Sequence, residues 1–201
     1  MMFLYILIIL CIVIKVVASQ SINNRPTRAA IIITLSGNQL VDYFEWTCIT
    51  IGASKRLFDM LVFHEHNSKL LSLLDNGRLH CASNVKFIDV GIGGLSKLVV
   101  DTIYNKATHT TQLKSTMMNT LEEVIAVVPR VLVEFKPMSG YLFKQWLSGY
   151  SHWSYSDVDI IWSDLSIYFL DDNGNTNNRF NDYDIITIGK HMDAGRLFLR
   201  G

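Results

Sequence analysis

Residues Ala29–Leu35, AAIIITL, carry no charge, contain three consecutive isoleucines and end at Ser36-Gly37. A strand that is apolar at every position has both faces covered, as in a parallel sheet between helices, whereas a half-exposed strand alternates. The next residues, Asn38–Leu57, place Leu40, Tyr43, Phe44 and Thr47 at helical spacing, and a second apolar run, FDMLVFHEH (58–66), follows. Lys69–Leu79 reads as a short helix, Asn84–Val90 as a third strand, and LSKLVVDTIYNK (95–106) as a helix after a glycine-rich turn. This order predicts an α/β fold with a mostly parallel sheet flanked by helices. Leu121–Glu134 reads as helix, break at Pro129, then strand; Met138–Leu147 as a helix; SHWSYS (151–156) as a strand; IIWSDLSIYFL (160–170) as a helix; DDNGNTNNRFND as a loop; and DYDIITIGK as a last strand.

With 201 residues, the chain is long enough for one well-buried domain. Lys plus Arg and Asp plus Glu both total 18, so no net field draws the chain to nucleic acid, and a nucleic-acid partner is not expected.

The first segment has a different character. Met1–Ile14 is apolar without interruption before Lys15, shorter than the roughly 20 apolar residues of a membrane span, and Val17-Ala18-Ser19 has the small side chains of a cleavage site. A cleaved signal peptide and an uncleaved signal anchor both fit Met1–Ser19. Gln20–Arg28 is a polar linker, and Ala29–Gly201 forms the body. The expected localisation is the secretory pathway, either the Golgi or ER lumen as a type II membrane protein, held in the membrane by an uncleaved segment, or secreted. Cys48 and Cys81, the two cysteines of the body, suit either one disulfide or two small buried thiols.

Three stretches offer chemistry. FIDVGIGG (87–94) resembles the glycine loop of nucleoside-binding methyltransferases, with Asp89, Gly91 and Gly93 in register but Leu95 where a third glycine belongs; such a turn also forms without a ligand. HEH (64–66) places two imidazoles two positions apart, on one face of a strand, and Ser68 stands where a zinc H-E-x-x-H motif needs its second histidine. WSYSDVDIIW (153–162) carries Asp157 and Asp159 after a strand, where open α/β sheets bind ligands; Asp182 and Asp184 form a second D-x-D at the entry to a strand. At Asp157 and Asp159, one carboxylate can hold a hard divalent cation directly and the other through water.

The wider block Val133–Leu165 resembles the central block of an uncharacterised glycosyltransferase-like family with a GT-A type nucleotide-sugar fold. Phe135, Lys136, Pro137, Gly140, Gly149, Tyr150, Trp153, Tyr155, Asp157, Asp159, Ile160 and Ile161 fill the places of its pattern; Ser163 stands where a glycine is usual. The resemblance implies a GT-A-like domain over 29–201, transfer of a sugar from a nucleotide-sugar donor to an acceptor of unknown kind, and Mn2+ or Mg2+ held by Asp157 and Asp159. It also implies donor contacts from Ser36, Gly37 and Lys136; Lys136 and Trp153 contact phosphate or position the D-x-D strand, or else Lys136 lies on a surface turn fixed by Pro137 and Trp153 in the core, the reading preferred for Trp153. Similar proteins continue past the position of Gly201 into an acceptor half that supplies a further metal contact and a catalytic base, so the expected domain is a shortened one and its catalytic residues are unassigned. Two other functions stay open: a non-catalytic α/β remnant that binds a partner, and an S-adenosylmethionine-dependent methyltransferase.

Overall fold

The structure, a computed structural model, describes residues 28–37, 40–104, 111–171, 173–175, 185–188 and 196–200. Met1–Ser19, all but Arg28 of the linker, and Asp182 and Asp184 lie outside the described residues. The strands are β1 (Ala29–Leu35), β2 (Phe58–His64), β3 (Val85–Asp89), β4 (His152–Tyr155), β5 (Ile185–Ile188) and β6 (Arg196–Arg200). The helices are α1 (Phe44–Thr50), α2 (Ser68–Asp75), α3 (Gly94–Tyr104), α4 (Thr111–Val127), α5 (Ser139–Leu142) and α6 (Lys144–Leu147), with 3-10 segments at Ile51–Ser54, Pro129–Met138 and Leu165–Tyr168. Among the described residues no helix is long and apolar enough to cross a membrane.

The sheet order is β3-β2-β1-β4-β6-β5. The first four strands are parallel, and β6 runs antiparallel to both β4 and β5. This is an α/β, Rossmann-like architecture. The chain lays down β1, β2 and β3 toward one edge, then crosses back to add β4 on the other side of β1.

The uncharged run of β1, apolar but for Thr34, has a direct structural cause. Ala29, Ile31, Ile33 and Leu35 point into a core with Met60, Val62, Phe44, Cys48 and Phe169. Ala30 and Ile32 point the opposite way, into a second core with Leu61, Phe63, Leu95, Val99 and Trp153. Each face of the sheet has its own hydrophobic layer, so both parities of the strand are mainly apolar. At the edge, β3 is only partly buried.

Opposite the carboxyl ends of these strands, one carboxylate ties four strand beginnings together. Asp59 of β2 is buried and pairs with Arg28, just before β1. Its Oδ2 accepts from Lys86 Nζ of β3 at 2.9 Å and from the Tyr150 hydroxyl, just before β4, at 2.8 Å. Burial alone would raise the Asp59 pKa, but the hydrogen bonds from Arg28, Lys86 and Tyr150 outweigh it and hold the group at about 2.

Two elements differ from the sequence expectations. The segment after Pro129 is a 3-10 helix, not a strand. Leu132, Phe135 and Met138, three apart, all pack on the second core, and a helix of three residues per turn is what puts them on one face. Residues 160–164 are not helical, and only Leu165–Tyr168 makes a 3-10 turn. Side chains of α1 and the following 3-10 turn take up the backbone groups a helix would need. Thr47 Oγ1 donates to Val158 O (2.8 Å), Trp162 N donates to Thr50 Oγ1 (3.0 Å), Ser54 Oγ donates to Ser163 O (3.2 Å), and Leu165 N donates to Ser54 Oγ (2.8 Å). Of the helix expected over Asn38–Leu57, the described residues show α1 and the 3-10 turn Ile51–Ser54, and β6, absent from the sequence expectations, separates β4 from the expected last strand, β5.

Candidate functional site

The order β3-β2-β1-β4 reverses direction at β1, and the carboxyl ends of β1 and β4 therefore border a crevice of the kind where open α/β sheets bind ligands. Parallel pairing sets Ile32 level with Tyr155, and Ser156 N donates to Ile32 O at 2.9 Å. The residues leaving the two strands, Ser36-Gly37 and Asp157, thus follow the carboxyl ends of adjacent strands at this reversal, with Asp157 in the register of Thr34.

Each side of the crevice is held from behind. Gly37 has φ +62°, a backbone conformation that side chains disfavour. Its carbonyl accepts from Asn67 Nδ2 at 2.8 Å, while the buried Asn67 caps α2 by accepting from Leu70 N at 2.8 Å. On the other side, Lys136 of the 3-10 segment forms an ion pair with Asp157. The lysine side chain is only 14% exposed, lies 6.0 Å from the centre of the Tyr155 ring, and delivers its charge to an aspartate that is 56% exposed. Asp159 is exposed, with no ion pair among the described residues. Trp153 is buried, in agreement with a structural role.

No cluster of three or more His, Cys, Asp or Glu side chains suited to a metal ion occurs among the described residues. Asp157 and Asp159 offer oxygen donors of the kind hard cations prefer, two positions apart on an exposed turn. They suit Mg2+ or Mn2+ provided that a ligand and water complete the coordination, and provided that Lys136 yields its place on Asp157.

Residues 75–192 match a family of unknown function, DUF6625, and the match spans more than half of the chain. The chain belongs to this family. No curated protein and no solved structure matches it. The DUF6625 match contains Lys136, Gly140, Trp153, Asp157 and Asp159, whereas Ser36 and Gly37 lie upstream of it.

The glycine loop of the DUF6625 chain follows β3, the edge strand, and not a strand at the reversal. Its Asp89 is committed to local geometry: the carboxylate accepts from Gly91 N (2.8 Å) and His66 N (3.0 Å) and meets His66 Nδ1 at 3.0 Å. Burial works against its ionisation, but these N–H groups prevail and hold the carboxyl below its ordinary range. Gly91 and Gly93, with φ +79° and +67°, make the turn into α3.

The two histidines do not share a strand face. His64 ends β2 with its side chain buried, and burial lowers its pKa; His66 stands beyond the strand, exposed and at φ 45°. Both nonetheless approach Asp89, His64 Nδ1 at 4.0 Å.

A cavity of about 360 Å3 opens beside the crevice, lined by Ser36, Gly37, Glu65, Gly93, Ser96 and Glu122 among others. Glu65 accepts from Leu95 N at the start of α3 (2.9 Å), and burial, with Glu122 nearby, raises its pKa. Ser96 is buried, and its hydroxyl has no hydrogen-bond partner among the described residues. Glu65, Ser96 and Glu122 come from three separate segments, so no local pattern groups them, although Glu65 lies within HEH.

Proposed function

We propose that this DUF6625 protein binds a nucleotide sugar at the β1/β4 reversal and transfers its sugar to an acceptor. The observation that carries this reading is the placement of Asp157, paired with the shielded Lys136, across the crevice from Ser36 and Gly37. The block from Phe135 to Ile161, with its resemblance to nucleotide-sugar transferases of the GT-A type, supports it.

In this reading Ser36 and Gly37 border the nucleoside, and Asp157 and Asp159 hold Mn2+ or Mg2+. A bound cation would supply charge neutralisation for the departing diphosphate. Lys136 holds Asp157 in the free protein and, where a cation takes its place, would present its ammonium group, beside the Tyr155 ring, to phosphate oxygens. The secretory-pathway placement rests on Met1–Ser19 and is part of the proposal.

The test is calorimetric titration of UDP- and GDP-sugars with and without Mn2+. Binding that requires the metal and disappears in the Asp157→Ala, Asp159→Ala variant is expected. Metal-dependent binding that survives both substitutions would remove the acid pair from the mechanism.

A non-catalytic, partner-binding role has one observation in its favour: Ile161, two positions after Asp159, and Ile167, on the following 3-10 turn, are 76% and 66% exposed. Nucleotide binding without turnover over a panel of acceptors would favour it. The methyltransferase reading ranks last, since its loop lies at the sheet edge and its aspartate is held by its own turn. Binding of S-adenosylmethionine, abolished by Gly91→Val, would restore it.

A further inference from the structure

Cys48 of α1 is fully buried, Cys81 in the segment leading to β3 is partly buried, and both are free thiols. The residues on either side of Cys81 are fastened to the first helical unit. Glu45, one turn before Cys48, accepts from His80 N at 3.0 Å and meets His80 Nδ1 at 2.8 Å. Ala82 N donates to the carbonyl of Cys48 itself at 3.1 Å. At Gly52 the approach is so close that an added methyl group would sit 2.8 Å from Ala82 Cβ. Cys81 is thereby clamped against the core cluster that contains Cys48.

The neighbouring Cys81 thiol, followed by burial, pushes the Cys48 pKa up, which fits two protonated thiols in contact in an apolar setting. No third ligand makes a metal site of them among the described residues.

We propose that Cys48 and Cys81 form a disulfide when the chain meets an oxidising compartment. This does not depend on the glycosyltransferase reading. The oxidant is a disulfide, either a small molecule such as oxidised glutathione or a disulfide oxidoreductase. Cys81, the more accessible sulfur, attacks it as the thiolate, forming a mixed disulfide and releasing one thiol. Cys48 then gives its proton to water and attacks the Cys81 sulfur, releasing the second thiol. Two protein S–H bonds become one S–S bond, and the oxidant takes up the two electrons as two thiols.

The link would fasten α1 to the segment entering β3. Because α1 also carries Thr47 and Thr50, which hold the chain at Val158, between Asp157 and Asp159, and at Trp162, the staple bears on the candidate site.

The test uses the full chain, equilibrated in glutathione redox buffers, alkylated under denaturing, non-reducing conditions and mapped by mass spectrometry. A linked Cys48–Cys81 peptide, with Cys11 alkylated, is expected in the oxidising buffer, together with a Tm roughly 10 °C above that in dithiothreitol. Cys81→Ser, the milder of the two substitutions, should fold and lose both the linked peptide and the difference in Tm. Complete alkylation of Cys48 and Cys81 in oxidised glutathione overturns the proposal. So does a link from either to Cys11, or a Cys81→Ser protein whose Tm responds to the redox buffer as the parent's does.

Discussion

Lys136 and Asp157 form an ion pair at the carboxyl end of the sheet, the lysine arriving from a 3-10 segment that lies over one face and the aspartate leaving β4. Neither element alone makes a charged pocket. Their meeting converts an exposed acid into one with a fixed direction.

Because half of the Asp157 side chain is in water, the pair contributes little to folding. Lys136→Met should change unfolding free energy by less than about 1 kcal/mol in urea melts. Its effect on ligand should be larger, with roughly tenfold weaker UDP or GDP binding in the presence of Mn2+ by calorimetry. Equal affinity in parent and variant would take Lys136 out of the phosphate site.

Gly140 of α5 lies against the indole of Trp153, and a Cβ there would fall inside the van der Waals envelope of Cε2, Cζ2 and Nε1. Trp153 is packed in the second core, so the ring cannot swing into solvent. Gly140→Ala should cost about 1–3 kcal/mol in chemical denaturation, and combination with Trp153→Phe should give less than the sum of the two losses. Strict additivity would mean that the pair is not in contact.

Ser54 is buried, donating to Ser163 O and accepting from Leu165 N. Ser54→Ala removes both bonds and should cost about 1–3 kcal/mol. Hydrogen exchange should accelerate at residues 162–165 while β1 and β2 keep their protection. Uniform acceleration across the sheet would indicate global destabilisation instead of local release.

Asp59 is held below its ordinary pKa, at about 2 against 3.8, so its ionised form favours the folded state. This contribution is complete above about pH 4 and is lost as pH falls through 2. It amounts to at most on the order of 2 kcal/mol, reduced by the water that reaches Arg28 and Lys86. Asp59→Asn should lower stability at pH 7 and flatten its dependence between pH 4 and pH 2 in urea melts. A variant with the parent's acid profile would show that other carboxylates control it.

The acid pair and its lysine were legible as candidates, because Phe135–Ile161 is a continuous block whose residue types carry the chemistry. A role for Lys136 at the D-x-D strand was one of the readings open to the sequence, but its direct ion pair with Asp157 was not legible. The contact depends on a 3-10 turn whose three-residue period, Leu132, Phe135 and Met138, passes for a short apolar strand. The helix expected after Asp159 failed for a related reason: its apolar spacing is real, but Thr47, Thr50 and Ser54, more than a hundred positions earlier, had already claimed its backbone groups.

The largely apolar β1 and β2, interrupted only by Thr34, Asp59 and His64, and the glycine turns after β1 and β3 determined an α/β chain with a doubly covered sheet, since local side-chain patterns answer directly to burial on each face. Which strand lies beside which was decided only in three dimensions. The sheet order sets the turn carrying Asp157 at the same end of the sheet as Ser36 and Gly37, gathers Arg28, Asp59, Lys86 and Tyr150 at the opposite end, and inserts β6 between β4 and β5. Strand order arises from long-range pairing and packing among segments far apart in the chain, and no local pattern of residues records it.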